Sequence, residues 1–396
     1  MTLGHALGIA SLLAGCAATE PDASHDTAGS TTAATSSGAG TSTADSGSSS
    51  SAADPSDGST TTTTTGGASS SSSTTTTGEP SLPEGFDPFA CATTPPDVLR
   101  ERLCDEAADP EHAPDEIFIH CRNEGGCLAP AYPEPGESLR VMAWNIERGM
   151  ELDAQIAAFV DGTLPTPDVL LLGEVDRGCA RSGDRNVAWE LASALGMDFV
   201  YGVEFIELPR PGDAITATCE HGNAILSRHR IGNVELLRHS VNESWYATDE
   251  PRLGGRMALM ADLAIGDRMV RVAALHFESG VEDGRKREAQ AAELADAMLA
   301  QANPAIVGGD TNAGLYAIDL ALGTHDEATT EAFFTRGFSD AHLAVPQASR
   351  VTHPPLLVLD LVLLHGPSAG AATVCPGAVC DALSDHRAVW VDVTLP

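Results

Sequence analysis

Lysine is almost missing from this chain. Lys286 is the only one in 396 residues, and 22 basic residues face 56 acidic ones, for a formal net charge of -34. The deficit is spread along the sequence: residues 1–138 hold 20 Asp/Glu and 3 Lys/Arg, residues 139–396 hold 36 and 19, and each part sums to -17. That balance excludes an indiscriminate grip on duplex nucleic acid, whose affinity comes mainly from basic side chains neutralising phosphates. Any nucleic-acid contact must rest on a local site. No apolar run approaches the roughly 18 residues of a membrane-spanning helix, so an integral helical membrane protein is excluded too. The close Cys-x-x-Cys pairs of structural zinc sites are also lacking.

What is present begins with a short apolar stretch over residues 6–15, too brief for a bilayer span and suited to an export signal. Leu13-Ala14-Gly15-Cys16 resembles the lipobox of bacterial lipoproteins, which implies cleavage before Cys16, acylation of its thiol and attachment to a lipid bilayer at the cell envelope. The leader (residues 1–15) departs from the lipoprotein pattern in having no Lys or Arg, only its amino terminus and His5, which leaves the true start open. Residues 16–87 are dominated by Ser, Thr, Gly, Ala and Asp, too poor in apolar groups to offset the entropy of ordering a chain. A flexible coil of about 60 residues reaches roughly 40–45 Å on average, so this tract is expected to be a disordered tether.

Cysteine usage agrees with export. Apart from Cys16, eight cysteines remain: Cys91, Cys104, Cys121, Cys127, Cys179, Cys219, Cys375 and Cys380. An even set behind an export signal predicts disulfides. The first four are separated by 12, 16 and 5 residues. Two bridges among them are expected to staple an acidic segment, residues 88–138, that has too little apolar sequence for a core of its own. Cys179 is expected to pair with Cys219 and Cys375 with Cys380.

From Leu139 the texture changes to short apolar runs divided by turns. Residues 139–144, 168–173, 224–227, 258–265, 270–276, 305–308, 356–363 and 388–393 read as strands, with Gly266-Asp267 as a hairpin turn. Helices are expected at 151–161, at 186–195 before Gly196, and at 285–302 before Pro304. The pattern predicts one layered α/β domain over residues 139–396. Polar residues stand at the ends of these runs: Asn145, Glu174, His276, Asp310, Asn312, Asp385 and His386. Taken singly, each reads more readily as a turn or strand end, Asp310 and Asn312 as an Asx turn; together they suit a site at one rim of a sheet core. Asp360 interrupts an apolar run, so it must be paired or solvated, and His386 is the candidate partner.

Trp144-Asn145-Ile146, Gly173-Glu174-Val175-Asp176, His221 to Arg228, His276-Phe277-Glu278-Ser279, Gly308-Gly309-Asp310-Thr311-Asn312, Leu359-Asp360-Leu361-Val362 and Ser384-Asp385-His386 follow one another in an order that resembles the motifs of the endonuclease/exonuclease/phosphatase superfamily. The resemblance covers residues 139–396. It implies a four-layered αββα sandwich of two mixed β-sheets, with the site where loops of both sheets converge. It also implies Glu174 as principal metal ligand with Asn145 and Asp385 near it. Hard oxygen donors without thiolates suit Mg²⁺ or Mn²⁺. By the same resemblance Asp310 orients or deprotonates the attacking water, Asn312 fixes it, and His276 and His386, the latter held by Asp360, contact the scissile phosphate. Asn223 and Arg256 are further candidates for substrate contact, Asn223 being equally readable as a turn residue. Arg252, Arg256, Arg285, Lys286 and Arg287 form the nearest approach to a basic cluster, as a solvated face or as leaving-group contacts. The expected activity is metal-dependent hydrolysis of phosphate esters by a monomer. A nuclease and a non-catalytic surface binding protein are the alternatives.

Overall fold

The computed structural model describes residues 82–90, 92–104, 121–134, 136–209, 215–280, 284–316 and 328–396. The leader, Cys16, nearly all of the tether and Cys91 lie outside the described residues. Two mixed sheets make up the body of the unit spanning Thr75–Pro396. In chain order the strands are β1 (Glu124–Gly126), β2 (Ser138–Arg148), β3 (Val169–Arg177), β4 (Asp198–Glu207), β5 (Cys219–Ser227), β6 (Arg230–Arg238), β7 (Arg252–Gly254), β8 (Met257–Ile265), β9 (Arg268–His276), β10 (Ala305–Tyr316), β11 (Ser339–Asp340), β12 (Leu357–His365), β13 (Ser368–Val374) and β14 (Val389–Thr394). One sheet runs β1-β4-β5-β3-β2-β14-β13, with β7 on β4, and the other runs β11-β12-β10-β9-β8-β6. Each has one parallel pair, β2 with β3 and β10 with β9.

Among the described residues the α-helices are α1 (Leu152–Val160), α2 (Val187–Leu195), α3 (Gly284–Met298), α4 (Ala328–Phe334) and α5 (Gly377–Cys380). Alternation along the strands builds the layers, because successive side chains leave opposite faces of a strand. Val141, Ala143, Leu171 and Ile225 of one sheet meet Leu259, Ala261, Val272 and Ile306 of the other in a central core. Their sequence neighbours Met142, Trp144, Leu170 and Leu172 face outward onto α1 and α2. Ala273, Leu275 and Val307 pack likewise on Leu294, Met298 and Phe333 of α3 and α4. Strands buried on both faces read as continuous apolar runs, which is why the sequence displays them. The result is the expected αββα sandwich.

All eight expected strands form, and the Gly266-Asp267 turn joins β8 to β9 with Ile265 opposite Arg268. Helix α2 carries both punctuation marks, Asn186 accepting from the Trp189 amide and Gly196 left-handed at φ 61°. Helix α3 ends at Met298, four residues short of the expected 302, in a turn ahead of Pro304. Strand β4 escaped the apolar pattern because its buried face includes Glu204 and Glu207. Edge strand β13 escaped it because it is mostly Ala, Gly and Ser.

The described parts of the segment 88–138 are sewn into this sandwich. Strand β1 extends the sheet alongside Phe199–Tyr201 of β4. Beneath it the buried Arg177 binds Glu124 at 2.6 Å, Glu220 at 2.7 Å and the Glu101 carbonyl at 2.8 Å. The disulfides Cys104–Cys121, Cys179–Cys219 and Cys375–Cys380 match the expectation, and Cys127 is disulfide-bonded as well.

Candidate active site

Strand register does most of the assembly. In one sheet Asp310 of β10 lies opposite His276 of β9 on one side and Asp360 of β12 on the other. In the other sheet Asn145 of β2 is level with Gly173 of β3, one residue before Glu174. The regular ladder breaks at these places: the register slips after Asn145, between Leu172 and Val175, and after Asp310. Glu147, Arg148, Glu174 and Asn312 all take left-handed φ angles of 48°, 64°, 51° and 48°. Bulges of this kind re-aim side chains at a sheet rim, and unfavourable backbone angles persist only where the surroundings enforce them.

Gly308 and Gly309 make the approach possible. A Cβ on Gly308 would sit 2.8 Å from a Leu171 methyl across the sandwich, and one on Gly309, at φ 144°, would sit 2.1 Å from the Leu275 carbonyl oxygen.

Asp310 is the hub. Its Oδ2 accepts from the Asn145 amide at 3.2 Å, and its Oδ1 accepts from the Asn312 backbone N–H at 2.9 Å. The Nε2 atoms of His276 and His386 stand 3.6 and 3.7 Å from the same Oδ2. Burial, followed by the Asp360 charge, pushes the Asp310 carboxyl up to about 6 against the pull of His386. The Asx turn anticipated at Asp310 and Asn312 is therefore real and belongs to the site.

The two imidazoles are of opposite character. His386 Nδ1 lies 2.8 Å from Asp360 Oδ2, the pairing expected from sequence. Burial disfavours its charge, yet Asp360 and then Asp310 raise it well above the usual histidine range, which favours the charged ring. Behind His276 stands Arg256, whose Nη1 is 2.8 Å from His276 Nδ1. A guanidinium can only donate, so Nδ1 accepts and a neutral ring carries its proton on Nε2, facing Asp310. Burial and the Arg256 charge hold His276 well below its usual range.

Glu174 Oε1 is 3.9 Å from His276 Nε2, and its other oxygen is 3.8 Å from Arg148 Nε. Burial would raise this carboxyl, but the charge of Arg148 foremost holds it well below the ordinary range. Asp385 is exposed on the turn before His386, and its backbone N–H donates to Glu147 Oε2 at 3.0 Å.

Two expectations change. Asn223 is neither a turn residue nor at the cleft surface: it lies fully buried within β5, its amide donating to the Met257 carbonyl at 3.1 Å. Arg256 is buried behind His276 and bound to Glu204 at 3.1 Å, so it reaches the cleft only through the imidazole. With it the basic cluster breaks up, since Arg252 and Arg287 are buried as well and Lys286 pairs with Glu243, while Arg285 stays exposed. Arg252 and Arg256 each lie over both Phe205 and Trp245. Sequence reading missed Arg148 and Glu147 beside Glu174, and His353, whose ring centre is 4.8 Å from that of His386. Their only sequence signal is nearness to Asn145 for the first two; His353 carries none.

The family model for the Endonuclease/Exonuclease/phosphatase family matches residues 142–386. Among solved structures, an endonuclease/exonuclease/phosphatase from Beutenbergia cavernae aligns with TM-score 0.50 and 22% identity over 66% of this chain and 72% of its own. The human Nocturnin catalytic domain with bound sulfate aligns with TM-score 0.48 and 18% identity over 69% and 98%. D. rerio TDP2 complexed with single strand DNA product aligns with TM-score 0.44 and 16% identity over 65% and 100%. No curated protein matches by sequence. The family match runs from the strand before Asn145 to His386 and so takes in every group around Asp310: the chain belongs to the Endonuclease/Exonuclease/phosphatase family.

Proposed function

We propose that this chain is a hydrolase of phosphate esters, working by in-line attack of a water activated at Asp310. One observation carries the reading: a buried carboxylate bracketed at 3.6 and 3.7 Å by two imidazoles, one backed by a guanidinium and the other by a carboxylate. A phosphate ester repels an anionic nucleophile, so its hydrolysis needs a base for the water proton and donors on the phosphoryl oxygens. Asp310, held at about 6, takes the proton near neutrality. Asn312, whose amide nitrogen is committed to the Phe277 carbonyl at 3.0 Å, leaves its Oδ1 for the water. His386 and the Nε2–H of His276 receive the phosphoryl oxygens, with Asp360 and Arg256 setting their protonation.

Glu174, Asn145 and Asp385 would hold Mg²⁺ or Mn²⁺. The donor set fits a hard cation, because carboxylates crowd this corner: Glu147 is pushed up by burial and by the charge of Asp385, with Glu174 adding to it. Such a cation, when bound, supplies positive charge to the phosphoryl oxygens. Net acidity and the burial of Arg252, Arg256 and Arg287 favour a small phosphodiester, phosphomonoester or lipid headgroup over polymeric DNA. The lipobox supports anchorage of a monomer to a bilayer at the cell envelope.

Hydrolysis of inositol phosphates, sphingomyelin and duplex DNA with Mg²⁺ or Mn²⁺, read as inorganic phosphate, phosphocholine and shortened strands respectively, tests the reading. Glu174→Gln, Asp310→Asn and His386→Ala should each lose about 10²-fold or more with circular dichroism unchanged. Full activity in all three would end the assignment.

A further inference from the structure

Ligand atoms of His353, Asp385 and His386 lie within 4.8 Å of one another at the edge of the cleft. We infer that these three residues form a second cation site, selective for a borderline transition metal such as Zn²⁺ or Co²⁺ over Mg²⁺. Two imidazoles and one carboxylate make a nitrogen-rich set unlike the oxygen donors around Glu174, and imidazole ligands favour the former ions.

The surroundings are built for it. His353 Nδ1 is buried without a hydrogen-bond partner, an arrangement that wastes a polar atom unless a ligand completes it. His386 gives Nδ1 to Asp360 at 2.8 Å, which leaves Nε2 as its available donor. A carboxylate behind a ligating imidazole is the usual way a protein fixes the ring's tautomer and orientation for metal binding. The backbone is pinned as well: His353 and Leu357 exchange both backbone hydrogen bonds at 3.0 Å, and Arg387 N–H donates to the Thr352 carbonyl at 2.7 Å, tying the two histidine-bearing segments together. A tetrahedral ion holds its donors roughly 3.5 Å apart, so the set must close slightly. Asp385, exposed on a turn, has the freedom to do so. Three protein ligands leave a fourth position for water or a phosphoryl oxygen. Binding there would displace the His386 Nε2 proton, so this ion and the proton-donating ring of the hydrolase reading are alternative states of one nitrogen.

Co²⁺ is the probe, since its visible absorption separates four-coordinate, imidazole-ligated ion from octahedral, oxygen-ligated ion. The full chain should bind one equivalent with the four-coordinate spectrum, and Zn²⁺ but not excess Mg²⁺ should displace it. His353→Ala and His353→Gln should both lose that equivalent while keeping their circular dichroism; Glu174→Gln should retain it. Unchanged spectrum and stoichiometry in both His353 variants would overturn the site, as would the absence of a four-coordinate spectrum in the wild type. The readout is independent of turnover, so it stands or falls apart from the hydrolase reading.

Discussion

Asp310 holds two conflicting demands in one carboxylate. As the proposed base it must ionise, yet it is nearly fully buried and faces Asp360 across the β10–β12 register. Its folded-state value of about 6 exceeds that of an unfolded aspartate, so between those values the native state binds the extra proton. This group's contribution to stability is therefore present at acid pH and lost as pH rises through about 6. At about 1.4 kcal/mol per unit the penalty at neutral pH is at most roughly 3 kcal/mol. Asp310→Asn should then be inactive but more stable than wild type at pH 7 in the cation-free protein, with the gap closing towards pH 4. Urea unfolding at both values checks this, and equal stability at both would refute it. Of the site residues, those at strand ends were legible because polar groups interrupt apolar runs. Arg256 was legible as a charge but not as the group behind His276, since residues 20 apart in sequence meet only through the pairing of β8 with β9 and the loop before them.

At the scale of elements, the rim depends on irregular strands. Gly309 allows β10 to pass the Leu275 carbonyl and deliver Asp310 between its neighbours. Gly309→Ala should cost about 3 kcal/mol or more, from backbone strain and from overpacking together. A urea midpoint equal to wild type would show that β10 has another way to settle. Strand β1 and the cysteine-bearing segment depend on Arg177 in a comparable way. Arg177→Ala leaves Glu124 and Glu220 buried without their partner, and breaking such pairs costs about 3–5 kcal/mol. The expected result is a cooperative loss of thermal stability, or protease cutting around residues 92–134; neither would be seen if the segment were docked by its disulfides alone. Glu204 and Glu207 show why β4 was illegible: charges inside a strand argue against burial until their guanidinium partners, distant in sequence, are in place.

For the whole molecule, charge agrees with the proposed address. A chain of net charge -34 whose arginines are largely spent on internal carboxylates would suit the proposed anchorage by a long tether, since like charge favours staying in solution. Cys16→Ser should move the protein from the membrane fraction to the soluble exported fraction and abolish fatty-acid labelling, leaving hydrolysis of a soluble ester unchanged. A wild-type protein that takes no label would remove the anchor.

The sequence by itself determined the layers, the disulfide partners within the later region and the candidates for chemistry, because alternation, cysteine parity and polar strand ends are local signals. Tertiary structure alone decided how those candidates divide their labour. Whether an imidazole is neutral or charged depends on what stands behind it, Arg256 for His276 and Asp360 for His386, and the strand register brings these together. The same holds for His353: a histidine in a loop signals nothing until folding sets it beside His386.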